Sequence, residues 1–371
     1  MRVLIVGAGI GGMAAARGLL ADGHQVTVLE RSPELRTLGG AITLWANGTT
    51  ILGDLGVDLG GLGERLTRVE TLTSSGRLAM AIDLEPAEAR FGAPAIVIPR
   101  GDVLNAIVDG LPEGLVRFGS RFARLGEGDS VVLESGEVFE ADLLIGADGV
   151  GSAVRTALFG EEPRPLTGVA SWQGLIPAPV DLGSTALMML GREGYVGLSP
   201  AGNGLAQWFC DTPWPTDDTD PLALLTERYG HWGTPVPELL KTLSEVDIKA
   251  YPHSRHRIPR LWGRGRTILL GDAAHAMPPS MALSANQALE DVWVLRQALK
   301  ANPATALAEY SVRRRKRASF AGAVARRSMA VAGAQTFFQR EAVLRGARNM
   351  PDALFQKAFV GLHRRISNRL G

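Results

Sequence analysis

The chain of 371 residues contains a single cysteine, Cys210. One thiol can form neither a disulfide framework nor a cysteine metal site within the chain, and this usage is typical of a reducing, cytoplasmic setting. The six histidines include no HExxH pattern. We therefore expect no metal site, and we exclude the disulfide-stabilised secreted classes.

Long hydrophobic runs and an excess of charge of one sign are also missing. No apolar run reaches the roughly 18 residues that a membrane span needs. A secretory signal is not expected either, because glycines interrupt the first apolar run. The 39 basic residues nearly balance the 38 acidic ones, which argues against a nucleic-acid-binding protein.

This overall balance hides one uneven segment. Residues 311–371 hold 14 Lys and Arg residues against two acidic ones, with apolar residues between the charges. The pattern favours amphipathic helices that cover the rest of the fold. An anionic partner or surface is the alternative interpretation.

The most informative pattern present lies at the N-terminus. An apolar run at residues 3–6 predicts a buried strand that leads into Gly7-x-Gly9-x-x-Gly12 and then a helix. In such a motif Gly7 makes the tight turn, Gly9 admits a pyrophosphate, and Gly12 lets the helix pack on the strand. Glu30 ends the next apolar segment, where an acidic residue binds ribose hydroxyls. The pattern predicts a bound dinucleotide, either NAD or FAD.

Two later segments narrow this choice. Asp148-Gly149-x-x-Ser152-x-x-Arg155 follows one apolar strand, and Gly271-Asp272-Ala273-Ala274-His275-Ala276-Met277-Pro278-Pro279 follows another. With the N-terminal motif, in this order, they resemble the single-component FAD-dependent aromatic hydroxylases, that is, the para-hydroxybenzoate hydroxylase-like and salicylate hydroxylase-like monooxygenases. The resemblance extends from residue 1 to about residue 315.

The resemblance implies an α/β fold in which an antiparallel β-sheet substrate domain interrupts a Rossmann-like FAD-binding domain. The expected boundaries are 1–70, 99–162 and 259–310 for the FAD-binding domain, 71–98 and 163–258 for the substrate domain, and 311–371 for C-terminal helices. The protein is expected to be a monomer or a homodimer.

The resemblance also implies a monooxygenase with non-covalent FAD. NADPH or NADH would reduce the FAD transiently. A flavin C4a-hydroperoxide would then hydroxylate or epoxidise an aromatic or polycyclic small molecule. Two alternatives stay open: a flavoprotein of the same fold that inserts no oxygen but oxidises, reduces or rearranges its substrate, and a member that has lost its flavin site and is not a redox enzyme.

Residues that match the FAD-binding positions of the family follow from this comparison. They are Gly7, Gly9, Gly11, Gly12, Glu30, Arg31, Arg36, Arg100, Phe122, Asp148, Asp272, Pro279, Ala285 and Asn286. For Asp272 the alternative is a helix N-cap, and for Asp148 it is an Asp–Arg pair with Arg155 that braces the turn. We expect His275 to belong to the scaffold rather than to act as an acid or base.

Substrate contacts are less well defined by sequence. The candidates are Trp45, Gln173, Trp208, His253 and Arg255, and ordinary core packing is the alternative for each aromatic residue. The chain also departs from the family pattern at Ala282-Leu283-Ser284, where Gly-Gln-Gly is usual. Glycines there let the backbone approach the isoalloxazine ring, which side chains could obstruct. Ala46 and Gln173 likewise replace a usual proline and a frequent arginine.

Overall fold

A computed structural model describes residues 1–163, 166–215, 219–254, 258–332 and 352–371. Within these ranges the strands, in chain order, are β1 Arg2–Val6, β2 Gln25–Leu29, β3 Ala41–Leu44, β4 Glu64–Leu66, β5 Arg68–Thr73, β6 Leu78–Asp83, β7 Ala95–Pro99, β8 Val116–Arg117, β9 Phe122–Leu125, β10 Val131–Leu133, β11 Val138–Phe139, β12 Leu143–Gly146, β13 Leu166–Pro177, β14 Thr185–Leu190, β15 Tyr195–Gly202, β16 Leu205–Pro213, β17 Ala250–Ser254, β18 Gly263–Arg264 and β19 Thr267–Leu269.

The α-helices in the same ranges are α1 Ile10–Ala21, α2 Ala46–Asp54, α3 Glu85–Phe91, α4 Arg100–Val108, α5 Ala153–Phe159, α6 Pro221–Tyr229, α7 Val236–Leu243, α8 Asp272–His275, α9 Ser284–Ala301, α10 Ala306–Ala332 and α11 Asp352–Ile366. Two short 3-10 helices are formed by Glu127–Asp129 and Pro279–Met281.

A six-stranded sheet carries the N-terminal motif. Its order is β18-β19-β12-β1-β2-β8, and all neighbours pair in parallel except β18 with β19. All four residues of β12 are buried, as expected for parallel strands that are covered on both faces. The carboxyl ends of β1, β12 and β19 therefore lie at one edge, where open α/β sheets bind ligands. The predicted Rossmann-like architecture is confirmed.

A seven-stranded sheet forms the second large unit, in the order β17-β13-β16-β15-β14-β5-β6. It is antiparallel, as predicted, except where β5 pairs in parallel with β14. One face packs against α6 and α7 in an apolar core that includes Trp172, Leu225 and Leu239. These two helices are an addition to the predicted β-sheet domain.

Residues 64–99 are divided between two sheets. β5 and β6 join the seven-stranded sheet, whereas β7, most of which lies within the range predicted for the substrate domain, pairs with β3 and β4 in a small separate sheet. A further three-stranded sheet consists of β9, β10 and β11. The predicted domain boundaries themselves stay a prediction.

The basic C-terminal helices cover the first unit. In α10 a stripe of residues spaced three or four apart is fully buried; it comprises Tyr310, Arg314, Ala318, Ala321 and Ala325. This is the apolar face that the amphipathic pattern indicated, with α9 as its main neighbour. None of the helices in the described ranges is long and apolar enough to cross a membrane.

Candidate functional site

The turn after β1 can be built only with glycine at two positions. Gly7 has a φ of +108°, and a Cβ there would lie 2.5 Å from the carbonyl oxygen of Ala147. A Cβ on Gly12 would lie 2.0 Å from the carbonyl oxygen of Gly7. By contrast, a Cβ on Gly9, which precedes α1, would meet no atom within 4 Å. The turn therefore holds open space in front of Gly9, where the helix N-terminus offers free N–H groups to an anion.

Gly11 and Glu30 complete this end of the site. A Cβ on Gly11 would press on Leu270 at 2.8 Å, so this glycine serves helix packing. The Glu30 carboxylate accepts hydrogen bonds from the backbone N–H groups of Ala8 (2.8 Å) and Ser32 (2.9 Å). These bonds fix its orientation, and each carboxylate oxygen keeps a second lone pair for a ribose hydroxyl. The neighbouring Arg31 is exposed.

Arg100, the first residue of α4, is a half-buried cation. Its Nη1 donates to the backbone oxygen of Arg36 at 2.8 Å. Burial lowers the pKa of Arg100, and the nearby positive charge of Arg36 lowers it further. No carboxylate of the described chain pairs with Arg100, so its charge is available to an anionic ligand such as a phosphate. Arg36 itself is exposed.

Asp148 is used in part by its own helix. One carboxylate oxygen, Oδ2, accepts from the N–H groups of Ala153 (2.7 Å) and Val154 (3.2 Å) at the start of α5. The other oxygen, Oδ1, is buried without a hydrogen-bond partner in the part of the chain that the structure describes. A buried oxygen in this state can accept a bond from a ligand. Arg155 braces the same region, since it donates to the carbonyl oxygen of Ala273 at 2.7 Å.

Phe122 lies in β9 with its side chain 6% exposed, inside the main hydrophobic core. Its side chain is therefore a packing residue, and only its backbone could meet a nucleotide. Pro279 is exposed at the start of its 3-10 helix, and Ala285 is half-buried in the first turn of α9.

Asp272 stands at the first position of α8, directly after Gly271, whose φ is +62°. Its side chain does not cap α8. Instead, the carboxylate oxygen Oδ1 accepts a hydrogen bond from the hydroxyl of Ser284, the first residue of α9. The structure thus brings Asp272 to the turn where the sequence departs from Gly-Gln-Gly.

That turn keeps a glycine-like shape with an alanine. Ala282 has φ 50° and ψ 37°, in the left-handed region that non-glycine residues seldom adopt. The buried amide of Asn286 supports it, since Nδ2 donates to the carbonyl oxygens of Ala282 (2.8 Å) and Thr43 (2.9 Å). The Asn286 Oδ1 accepts from the N–H of Trp45 at 2.9 Å. The Asn286 side chain is therefore used in hydrogen bonds within the protein. Only the backbone of Asn286 is left to contact a cofactor.

Leu283 does not extend from this turn into open space. It is 1% exposed and packs in a cluster with Ala321 of α10 and Ile366 of α11. The expectation that this leucine could obstruct the flavin ring is therefore not supported by its position. The C-terminal helices hold the side chain on their own side of the turn.

A buried ionic network lies behind α8 and α9. The Asp291 carboxylate accepts from the N–H of Gly271 (2.8 Å), from Nε of Arg314 (2.6 Å), and lies 2.6 Å from Nε2 of His275. Burial alone would raise the pKa of Asp291, but its interactions with His275 and with the Arg314 guanidinium hold that pKa below its ordinary value. His275 and Asp291 are fully buried, and the scaffold role of His275 stays a prediction.

A cavity of about 340 Å³ lies between the seven-stranded sheet and the 3-10 helix that precedes the Ala282–Ser284 turn. Strands β14, β15 and β16 supply one wall, and the 3-10 helix and α10 supply the other. The lining residues are Met188, Leu190, Tyr195, Phe209, Ser280, Val324, Arg327 and Ser328. The walls are mostly apolar, and Arg327 is an exposed cation. Such a lining suits a flat apolar ring that carries few polar groups.

Polar side chains support the sheet wall of the cavity. The hydroxyl of Tyr195 donates to Oδ2 of Asp211 at 2.7 Å, and His253 lies 3.6 Å from Oδ1 of the same carboxylate. Burial raises the pKa of Tyr195 well above its ordinary value, and the Asp211 charge adds to this. Tyr195 therefore keeps its proton at neutral pH. His253, a predicted substrate contact, lies behind Tyr195 in this arrangement.

The other substrate candidates have different positions. Trp208 is 2% exposed in the core under α6 and α7, on the opposite sheet face from Phe209, so it does not line the cavity. Gln173 pairs with Phe209 across β13 and β16 and so shares the cavity face. Trp45 packs edge-on against Phe359, with ring centroids 5.7 Å apart. Arg255 lies outside the described residues.

Sequence reasoning missed most of the cavity lining. Strand alternation could have indicated Phe209, because it neighbours the candidate Trp208 and must face the other way. The α10 residues gave no local signal, since only tertiary packing brings them to the sheet. In the described ranges no three His, Cys, Asp or Glu side chains are grouped closely enough to hold a metal ion.

The chain is similar in sequence and in structure to known proteins. The sequence matches the FAD binding domain family over residues 1–326. It is 34% identical over 333 residues to the aurachin C monooxygenase/isomerase of Stigmatella aurantiaca, covering 86% of each chain. It is 32% identical over 335 residues to the FAD-dependent urate hydroxylase of Klebsiella pneumoniae, covering 85% of this chain and 86% of that one. The crystal structure of Klebsiella pneumoniae HpxO with FAD and uric acid superposes with a TM-score of 0.91 at 27% identity, covering 98% and 97% of the two chains.

Proposed function

Because this chain belongs to the FAD binding domain family and is an FAD-dependent monooxygenase, we propose that it oxygenates a small aromatic or polycyclic molecule held in the cavity between the seven-stranded sheet and the turn before α9. Oxygen from O₂ enters the substrate, and NADPH or NADH supplies the electrons. The observation that carries the proposal is the position of this cavity: Ser280, which forms part of its lining, lies in the 3-10 helix directly before the Ala282–Ser284 turn assigned to the reactive end of FAD.

The residues of the first turn fit the ADP half of FAD. The open space at Gly9, the free N–H groups of α1 and the charge of Arg100, which no carboxylate of the described residues pairs with, suit a pyrophosphate. Glu30 is oriented to accept from ribose hydroxyls. The buried, unpartnered Oδ1 of Asp148 supplies one more acceptor at the same sheet edge.

The second turn fits the flavin half. The N-terminus of α9 offers positive dipole and free N–H groups to negative charge on the ring system. When bound, FAD supplies the redox chemistry, which no side chain here could perform. The protein contributes orientation and a mostly apolar cavity whose sheet wall carries the fixed hydroxyl of Tyr195. Tyr195, held protonated by burial and by Asp211, is a hydrogen-bond partner rather than a base.

The cavity limits the substrate. Its volume of about 340 Å³ is at the lower end of sites that hold small organic ligands. We propose that Tyr195 and Phe209 contact the aromatic ring and that Arg327 meets any anionic group at the exposed side. Urate and aurachin C occur in the names of two relatives of this chain. Both compounds are reasonable starting points for a substrate screen.

The direct test has two steps. Purified protein is expected to show the absorption spectrum of bound oxidised flavin, or to acquire it when FAD is added. NADH and NADPH oxidation is then measured with a panel of phenols, hydroxypyridines, purines and quinolones, with ¹⁸O₂ used to follow the oxygen into product. Label in the product supports oxygenation. Substrate-dependent turnover that leaves no label in the product would instead indicate a flavoprotein that inserts no oxygen.

A further inference from the structure

The one polar side chain that this chain adds at its altered turn is Ser284. Where the family has glycine, Ser284 begins α9 and its hydroxyl donates to Oδ1 of Asp272, at the start of α8. The bond connects two segments that are separated by 12 residues. Both segments border the site assigned to the flavin half of FAD.

Asp272 is otherwise lightly engaged. The described part of the chain gives it no ion pair, and its Oδ2 has no hydrogen-bond partner there, while the residue is half-buried. A carboxylate has about four acceptor positions. The Ser284 hydroxyl uses one of them, so Asp272 can still accept from a hydroxyl-bearing ligand while its rotamer is held.

The segment that carries Ser284 is itself held in place. Leu283 is buried against α10 and α11, and the Asn286 amide bonds to the carbonyl oxygen of Ala282. Ser284 therefore lies between two anchored residues, and little side-chain entropy is lost when its hydroxyl meets Asp272. The carboxylate is pre-organised before any ligand arrives.

We propose that Ser284 is an additional FAD-positioning residue, which acts by orienting the Asp272 carboxylate toward the ribityl hydroxyls of FAD. The inference rests on FAD binding at this site, the basis of the proposed function. Ser284 contributes through Asp272, so its effect on FAD affinity is expected to depend on that carboxylate.

The test is a double-mutant cycle on the dissociation constant of FAD, measured by fluorescence titration of the apoprotein. Ser284→Ala is expected to weaken binding about tenfold, the size of one hydrogen bond to a charged group. In an Asp272→Ala background the same change is expected to alter the constant by less than about twofold. Ser284→Thr, which keeps the hydroxyl, is expected to bind within about threefold of the parent.

Ser311→Ala is the matched control, because the Ser311 hydroxyl bonds only within α10, to the carbonyl oxygen of Leu307. Its FAD affinity is expected to be unchanged. An unchanged affinity in Ser284→Ala, or an equal loss with and without Asp272, would overturn the inference while leaving the proposed function intact. If the parent protein itself fails to bind FAD, the proposed function is overturned as well.

Discussion

The turn after β1 and the turn before α9 meet similar steric demands with different residues. In the first, Gly7 and Gly12 leave no room for a Cβ, since backbone atoms lie within 2.5 Å of the place it would take. In the second, Ala282 adopts the left-handed conformation and is held by Asn286 and the buried Leu283. A glycine can therefore be replaced where neighbouring side chains fix the backbone conformation, but not where backbone atoms occupy the position of the added Cβ.

The largest effect is expected from the buried ionic network behind α8 and α9, the two helices on either side of the second turn. Arg314→Met removes the buried guanidinium that pairs with Oδ1 of Asp291, so the free energy of unfolding is expected to fall by about 3–5 kcal/mol. The control is Arg313→Met, next in the chain, whose pair with Glu309 is partly exposed. There the loss is expected to be about 1 kcal/mol or less. Urea unfolding measures both, and equal losses would contradict the role of the network.

The first turn is tested by Gly12→Ala. The added Cβ would lie 2.0 Å from the Gly7 carbonyl oxygen, so we expect a loss of about 3 kcal/mol in unfolding free energy together with loss of bound FAD. Gly53→Ala, in α2 with open space around it, is expected to stabilise by about 0.5–1 kcal/mol. A stable Gly12→Ala variant with normal flavin content would show that the steric account is wrong.

The two turns are connected through helices α1 and α9. Asp22, which ends α1, accepts bonds from Arg296 at 2.7 Å and lies 2.8 Å from Nζ of Lys300. Burial would raise the pKa of Asp22, but these two cations lower it overall. Its contribution to stability is therefore present above the unfolded pKa of about 4 and is lost as the pH falls below it.

Asp22→Asn tests this connection. The variant is expected to be about 1 kcal/mol less stable at pH 7, and the difference from the parent is expected to shrink as the pH approaches 3. Thermal unfolding across this range is the measurement. A difference that stays constant from pH 7 to pH 3 would rule out the ion pair as its cause.

The smallest effect concerns Ala282. Because alanine is strained in the left-handed region, Ala282→Gly is expected to stabilise the protein by about 0.5 kcal/mol. Ala285→Gly, in the first turn of α9, is expected to have the opposite sign and a cost of about 0.5–1 kcal/mol. A destabilised Ala282→Gly variant would mean that the alanine conformation carries no strain.

The first turn was largely predictable from the sequence, and the second only in part. The spacing of Gly7, Gly9 and Gly12 encodes a backbone shape, so the local sequence sufficed. For Leu283 the sequence predicted a possible obstruction of the flavin ring, which the structure does not support because residues of α10 and α11 bury this side chain. These residues are distant in sequence, so the local pattern could not indicate them.

The substrate wall shows the same limit. Strand alternation separates Trp208 from Phe209, but it does not say which face meets the cavity. That choice depends on α6 and α7, which cover the sheet face that carries Trp208. The predicted β-sheet domain did not include these helices. The cavity position of Arg327 likewise depends on how α10 packs, and no motif marks it.

If the open space at Gly9 receives the pyrophosphate of FAD, a side chain there must block FAD binding without disturbing the fold. The measurement is a titration of FAD into the apoprotein of the parent and of Gly9→Val, with thermal unfolding of each apoprotein measured alongside. Because a Cβ at Gly9 meets no protein atom within 4 Å, the account predicts a nearly unchanged unfolding temperature and FAD binding weakened at least about a hundredfold. A Gly9→Val protein that binds FAD as tightly as the parent would contradict it.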